Sequence, residues 1–201
     1  MAAGSAPTVR VGLLGGTFDP PHVGHVIVAR DALEALGLAE VRFVVAPRPP
    51  HKVEGARASP ELRLAMTEAA VRDDPCLVVE TREMRREGPS YTVDTLRELT
   101  AAEPSVGWVL LLGADQLATF DTWREPAEVG RLARLVVMAR EGRLPPDSGP
   151  VEGVVHEQVS VTRVDISSRD IRRRIAEGRS ARFLVTAAVW DIIDKNELYR
   201  D

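Results

Sequence analysis

His22 and His25 stand three residues apart, where a glycine-rich turn is about to become a helix. Side chains at positions i and i+3 of a helix project to the same side, so both imidazoles are expected to face whatever the turn binds. The turn, residues 15–18 (Gly-Gly-Thr-Phe), adds a hydroxyl, and its glycines let the backbone approach a ligand closely. An apolar run precedes this turn. A strand that enters a helix in this way presents backbone N–H groups to anions, which predicts a phosphate site.

Three better-known kinds of site do not fit this stretch. Gly12, Gly15 and Gly16 lack the G-x-G-x-x-G spacing of a dinucleotide site, and no Gly-Lys-Ser/Thr ends the turn as in a P-loop. A zinc site needs a third close ligand, and Asp19 is the sole candidate nearby, so no bound metal is predicted. An H-x-x-H pair is common by chance, and the interpretation therefore depends on the strand and helix around it.

The composition excludes several classes of protein. The chain has 201 residues, enough for one well-buried core, and 44% of them are hydrophobic. Its net charge of −4 argues against general binding to nucleic acids or membrane surfaces, so an anionic ligand needs a local site. The single cysteine, Cys76, cannot form an intramolecular disulfide and is expected to be a reduced thiol. The first ten residues lack a signal-peptide pattern and no apolar run reaches 18 residues, which predicts a cytoplasmic protein.

Short apolar runs alternate with segments of helical period. Strands are predicted at Val9–Leu14, Val41–Ala46, Cys76–Glu80, Trp108–Leu112, Leu135–Ala139 and Val159–Val164. Helices are predicted at Gly24–Leu36, Pro60–Val71 and Tyr91–Ala102, with Ser59 as an N-cap. This alternation predicts an α/β fold with a Rossmann-like, doubly wound parallel sheet. We expect a single domain over residues 1–201, with its core at 8–165, a surface loop at 141–153 and helices at 166–201.

Five further motifs carry a resemblance to a known family. They are Pro49-Pro50-His51-Lys52, Gly88-Pro89-Ser90-Tyr91-Thr92, Gly113-Ala114-Asp115, Ile166-Ser167-Ser168-Arg169-Asp170-Ile171-Arg172 and Leu198-Tyr199-Arg200. Residues 15–25 resemble the H-x-G-H signature of the nucleotidyltransferase superfamily. With the other motifs, the chain resembles the bacterial nicotinate-nucleotide adenylyltransferases from Val11 to Arg200. H-x-G-H by itself specifies the superfamily only, whereas the motifs together are far more specific.

The resemblance implies transfer of the adenylyl group of ATP to nicotinate mononucleotide, which gives deamido-NAD and pyrophosphate. It implies catalytic roles for His22, His25 and Lys52. It implies ATP contacts at Gly15, Gly16, Thr17, Phe18, Gly113, Asp115, Ile166, Ser167, Ser168 and Arg172. It implies contacts with the nicotinate nucleotide at Lys52, Ser90, Tyr91, Thr92 and Trp123. Mg²⁺ is expected to arrive with ATP rather than in a protein cage.

Several of these residues also have a simpler structural interpretation. Residues 90–92 can merely start a helix, and Trp123 can belong to the core, although its polar neighbours favour a stacking face for a flat ring. Asp115 can cap a helix instead of binding ribose hydroxyls. Ser167 and Asp170 have the spacing of a capping box, in which the hydroxyl accepts from the N3 amide and the carboxylate returns to the N-cap. That geometry is also compatible with binding ATP phosphates.

The loop after the second strand is expected to be a mobile lid over residues 47–54. Lys52 is implied to contact phosphate, although most lysines in such a loop are solvated, and the role of His51 stays open. The loop is shorter than is common in the family, which affects the reach of the lid.

Two other positions depart from the family pattern. Arg169 replaces the usual threonine, and Thr186 replaces a proline while still serving as an N-cap.

Other functions compete with this one. The acceptor of the adenylyl group can instead be nicotinamide mononucleotide, phosphopantetheine or a sugar phosphate. A fragment of a class I aminoacyl-tRNA synthetase would also carry an H-x-G-H-like pair, but it would need a lysine-rich loop and a basic surface, and the sequence has neither. A non-catalytic module that senses ATP would bind ATP without releasing pyrophosphate. The oligomeric state is not encoded in any recognisable pattern.

Overall fold

Six parallel strands form one sheet in the order β3-β2-β1-β4-β5-β6. The computed structural model describes residues 9–49, 56–140 and 151–200. The strands are β1 (Val9–Gly16), β2 (Glu40–Val45), β3 (Leu77–Glu80), β4 (Val106–Gly113), β5 (Arg134–Arg140) and β6 (His156–Val161). The strand order reverses between β1 and β4, as in a Rossmann fold. The predicted fold class is therefore confirmed.

Helices cover both faces of this sheet. They are α1 (Val23–Leu36), α2 (Pro60–Val71), α3 (Thr92–Ala102), α4 (Ala114–Ala118), α5 (Pro126–Leu132), α6 (Ser168–Ala176) and α7 (Ala187–Lys195), with short 3₁₀ turns at Arg82–Arg85 and Phe120–Thr122. Side chains of α1, α2, α6 and α7 share one apolar cluster, and side chains of α3 and α5 share another. Within the described ranges, none of these helices has the length and apolar composition to cross a membrane.

Strand β4 shows how the sequence separates the two layers. Val109 and Leu111 belong to the cluster that α1 and α2 cover, whereas Trp108, Leu110 and Leu112 belong to the cluster that α3 and α5 cover. Successive side chains of a strand point to opposite faces, so an unbroken apolar run fills both layers at once. This is why the buried strands read as continuous apolar segments.

Some predicted boundaries were wrong. The last strand is predicted at Val159–Val164, but β6 covers His156–Val161. The prediction misses its start because the first three residues of this edge strand are polar and not buried. Gly15 and Gly16 extend β1 and pair with β2, so half of the predicted turn is still strand. Tyr91 is the N-cap of α3 rather than its first residue. Most of the loop predicted at 141–153 lies outside the described residues.

The buried guanidinium of Arg63 joins three segments that lie beneath the carboxyl end of the sheet. Its side chain is 1% exposed. Nη1 donates to the carbonyls of Thr17 at 2.8 Å and Ala46 at 2.7 Å, Nη2 donates to Pro47 at 2.9 Å, and Nε donates to Ala58 at 3.3 Å. Burial lowers the pKa of Arg63 from its ordinary value. The residue thus fixes the turn after β1 against the exit of β2 and the start of α2.

We predict that Arg63→Met lowers the free energy of unfolding by about 3–5 kcal/mol, because it leaves several buried carbonyls without donors. Urea denaturation followed by circular dichroism measures the change. Arg72→Met, at the exposed end of the same helix, is the matched control and is expected to change stability by less than about 0.5 kcal/mol. Equal effects of the two substitutions would contradict the role assigned to Arg63.

Candidate active site

A cavity of about 820 Å³ opens at the carboxyl ends of the strands. The ends of β1 and β4 form its floor, between which the strand order reverses. In open α/β sheets, ligands bind at this switch point. The predicted site residues that line the cavity come from five different segments: Gly15, Gly16, Thr17, His22, His25, Ser90, Tyr91, Thr92, Gly113, Asp115, Trp123 and Ile166.

The two histidines lie face to face at the start of α1. Their ring centroids are 3.6 Å apart, and the ring planes differ by 27°. His22 is the N-cap residue, and its backbone N–H donates to Nδ1 of His25 at 3.1 Å. Because Nδ1 of His25 accepts this bond, the proton of the neutral imidazole is on Nε2, which is then a donor. Gly24 permits this packing, since a Cβ there would lie 3.0 Å from the His22 ring and 3.1 Å from Val164.

Phe18 supports the site from beneath and is not among the residues that line it. Its ring is 3% exposed and lies edge-on to His25, with the centroids 5.1 Å apart. A Cβ at Gly16 would come within 2.8 Å of this ring, so the strand end can approach it only as glycine. Phe18 itself has a positive φ of 49°, a conformation that non-glycine residues seldom adopt. Phe18 therefore does not line the cavity, and the ATP contact implied for it stays a prediction.

The carboxylate of Asp19 accepts hydrogen bonds from residues that are distant in the sequence. It is 3% exposed, and it accepts hydrogen bonds from the backbone N–H of Arg57 at 2.8 Å and of Ala58 at 3.1 Å. The Tyr199 hydroxyl donates to it at 2.7 Å, and the Arg172 guanidinium lies 3.7 Å away. Burial, together with the Asp19 charge, raises the pKa of Tyr199. Sequence reasoning considered Asp19 only as a zinc ligand and missed this role.

The start of α6 is fastened to the turn that follows β1. Ser167 is the N-cap, and its hydroxyl accepts from the Asp170 N–H at 3.1 Å, as the capping interpretation predicts. The Asp170 carboxylate accepts from the Ser167 hydroxyl at 2.7 Å. Ser168 and Arg172 donate to the main-chain carbonyls of residues 19–20, at 2.8 and 2.6 Å. In the structure, Ser167, Ser168 and Arg172 are thus beside the cavity and not among its lining residues.

At the opposite wall, the start of α3 is held by a buried glutamate. Glu83 is 5% exposed and lines the cavity. Its Oε1 accepts from the Thr95 hydroxyl at 2.6 Å, and Ser90 also hydrogen-bonds to its carboxylate. Burial raises the pKa of Glu83 above its ordinary range. Sequence reasoning missed this residue, because a glutamate among arginines in a 3₁₀ turn gives no periodic signal.

Asp115 and Gly113 occupy the exit of β4. The Gly113 N–H donates to the side chain of Gln116 at 2.9 Å, so glutamine rather than Asp115 supplies this cap. A Cβ at Gly113 would lie 2.6 Å from Oδ1 of Asp115, and glycine therefore leaves the carboxylate its place. Asp115 lines the cavity.

Trp123 is partly buried between an apolar cluster and the cavity, and its role as a stacking face stays a prediction. Its ring packs on Phe120, with the centroids 5.3 Å apart, and it also lines the cavity. The predicted residues His51 and Lys52 lie outside the described residues, as does most of the predicted lid.

We predict that Glu83→Gln removes a pH-dependent loss of stability. A carboxyl whose pKa is raised in the folded state stabilises the fold when protonated, and this contribution is lost as the pH rises from about 4.5 through the raised pKa. The free energy of unfolding of Glu83→Gln, relative to the unchanged chain, is therefore expected to increase over that window. Urea denaturation at a series of pH values measures it. Glu68→Gln is the matched control because Glu68 is exposed; the same pH dependence in both variants would contradict the prediction.

Comparisons with known proteins agree with this geometry. The family model described as cytidylyltransferase-like matches residues 13–174. A "Probable nicotinate-nucleotide adenylyltransferase" from Rhodopirellula baltica is 41% identical over 199 residues, which cover 94% of this chain and 93% of that protein. A protein of the same name from Thermus thermophilus is 46% identical over 192 residues, which cover 96% of this chain and 100% of that protein.

Among solved structures, Plasmodium falciparum nicotinic acid mononucleotide adenylyltransferase complexed with NaAD superposes with a TM-score of 0.72 at 15% identity. The match covers 96% of this chain and 98% of that chain, and it shows a shared fold. The relatives at more than 40% identity show more than the fold, because they align along nearly the whole of both chains. The chain belongs to the cytidylyltransferase-like family and, within it, to the nicotinate-nucleotide adenylyltransferases.

Proposed function

We propose that the chain transfers the adenylyl group of ATP to nicotinate mononucleotide, as the names of its relatives indicate. The observation that carries the proposal is the stacked pair His22 and His25 at the N-terminus of α1, which lines a large cavity at the switch point of the sheet. On the other side of the cavity lie Trp123 and the N-terminus of α3, which suit a flat anionic acceptor.

In this reaction, an oxygen of the acceptor's 5′-phosphate forms a bond to the α-phosphorus of ATP. The bond between that phosphorus and the α,β-bridging oxygen breaks, and pyrophosphate leaves with the electron pair. The attacking oxygen is already anionic at neutral pH, so the site needs positioning and charge stabilisation rather than a general base. The imidazole donors at α1 would stabilise charge on the α-phosphate and on the leaving oxygen.

The remaining residues divide between the two substrates in this proposal. Asp115 would accept from the ribose hydroxyls of ATP, while Gly15, Gly16 and Thr17 would present their backbone to its phosphates. Ser167, Ser168 and Arg172 are proposed to act at the phosphate end, beside Ile166, and Lys52 is proposed to reach the phosphates of both substrates. The backbone at Tyr91 and Thr92 would receive the nicotinate carboxylate.

We propose that Mg²⁺ enters as part of the substrate complex with ATP. Within the part of the chain that the structure describes, no three histidine, cysteine or acidic side chains come together as a metal site. When bound with ATP, the metal ion would neutralise part of the charge of the phosphates.

We also propose that residues 1–201 act as one nucleotidyltransferase domain in the cytoplasm, where ATP is available. In support, Ile171, Val189 and Tyr199 from the C-terminal part share an apolar cluster with Leu14 of β1.

The direct test is incubation of the chain with ATP, Mg²⁺ and one acceptor at a time, followed by a pyrophosphate assay. We expect pyrophosphate and deamido-NAD with nicotinate mononucleotide, and a lower kcat/KM with nicotinamide mononucleotide. Phosphopantetheine and a sugar phosphate are the control acceptors. ATP binding without pyrophosphate release would instead favour a sensing module, and faster turnover with another acceptor would reassign the substrate.

We predict that His25→Ala lowers kcat by about 10²–10³-fold, the effect expected for loss of one charge-stabilising donor in the transition state. Steady-state pyrophosphate release measures this. Near-normal turnover would overturn the catalytic role of His25.

Two matched variants separate catalysis from capping, because Nδ1 of His25 also accepts from the helix N-terminus. Asparagine places its Oδ1 near the position of Nδ1 and keeps the cap, but it has no donor at the position of Nε2. Glutamine places a donor near Nε2. We expect His25→Asn to be as slow as His25→Ala while unfolding like the unchanged chain, and His25→Gln to recover part of the rate.

A further inference from the structure

Arg124 brings a permanent positive charge to the wall of the cavity that Trp123 and the start of α3 form, where the acceptor is proposed to bind. It follows Trp123 directly and lines the cavity beside Tyr91 and Thr92. Its guanidinium carbon lies 4.8 Å from the centre of the Tyr91 ring, stacked over the ring. Among the residues that the structure describes, it is the only arginine or lysine in the cavity lining. Sequence reasoning had treated it merely as a polar neighbour of the tryptophan.

The side chain of Arg124 is held in place by its neighbours, but its N–H donors are not all used in strong hydrogen bonds. Its Nη1 lies 3.4 Å from Oδ2 of Asp94, and its Nε lies 3.7 Å from Oε1 of Glu125. These are long contacts for a guanidinium, whose strong hydrogen bonds to carboxylates measure about 2.7–2.9 Å. The side chain is 51% exposed, and one face rests on the Tyr91 ring. The planar fork is therefore oriented by the ring and can still bind a further carboxylate.

Acidic side chains near Arg124 give its positive charge an effect on the choice between an acid and an amide acceptor. Asp115 lines the same cavity, and Asp94 lies within the first turn of α3, 3.4 Å from the Arg124 guanidinium. An acceptor with a carboxylate on its ring meets repulsion from these acids, whereas an uncharged amide does not. Arg124 offsets that repulsion and adds a charged donor, which stabilises a bound carboxylate more than a bound amide.

We propose that Arg124 is a specificity-determining residue, which favours an acceptor with a ring carboxylate over the corresponding uncharged amide. This inference rests on the proposed adenylyl transfer to a pyridine mononucleotide. Arg124 acts on the ground-state and transition-state complexes alike, so its effect is on KM for the acid acceptor rather than on kcat.

The test compares kcat/KM for nicotinate mononucleotide and nicotinamide mononucleotide at saturating ATP and Mg²⁺. In Arg124→Gln, which keeps a long polar side chain without the charge, the ratio of acid to amide is expected to fall about tenfold through a rise in KM for the acid. KM for ATP and the rate with the amide are expected to stay within about twofold, since neither depends on this charge. In Arg124→Lys, which keeps the charge but loses the planar fork, the ratio is expected to fall about threefold.

Arg97→Gln is the matched control. Arg97 belongs to the same ion cluster, with a contact of 2.6 Å to Glu125 and one of 3.7 Å to Asp94, but it is not among the cavity-lining residues. We expect its acid-to-amide ratio to equal that of the unchanged chain. An unchanged ratio in Arg124→Gln, an equal loss with both acceptors, or the same fall in Arg97→Gln would each overturn the inference. Absence of pyrophosphate release by the unchanged chain with either nucleotide would instead overturn the proposed function, and the inference with it.

Discussion

The structure depends on holding one short turn, residues 16–22, in a single conformation between β1 and α1. Two buried charges do this from opposite sides. The guanidinium of Arg63 donates to carbonyls of the turn and of the β2 exit, while the carboxylate of Asp19 accepts from the backbone N–H groups of residues 57–58 and from Tyr199. Neither charge could remain buried without such partners. The turn is therefore fixed by hydrogen bonds that involve residues 57–58, the side chain of Arg63 and the hydroxyl of Tyr199.

This rigidity suits a reaction in which the protein contributes mainly position and charge. The His25 ring is aligned by a helix N-terminus, by the stacked ring of His22 and by a T-shaped contact with Phe18, so it is held in one orientation. The cavity wall at the start of α3 is also held by buried hydrogen bonds, since Glu83 holds Ser90 and Thr95. Both walls meet at the switch point of the sheet.

Local patterns in the sequence predicted the fold and the first half of the site. The buried strands, the N-caps Ser59, Ser167 and Thr186 and the histidine pair all depend on neighbours within a few residues, and the structure contains each of these caps. The roles of Arg63 and Glu83 could not be predicted, because a charged residue in a helix or a 3₁₀ turn is ordinarily expected to be exposed to solvent. Their burial follows from packing between elements that are distant in sequence. The contact roles of individual site residues with substrate stay predictions.

The hydrogen bond between Tyr199 and Asp19 joins residues 180 positions apart. Such a contact closes a very long loop, and its entropy cost is recovered only after the elements in between have assembled. The turn that carries the histidines is thus completed together with the tertiary structure as a whole. An incompletely folded chain, with β1 and β2 already paired, would lack this last brace and with it the geometry needed to consume ATP.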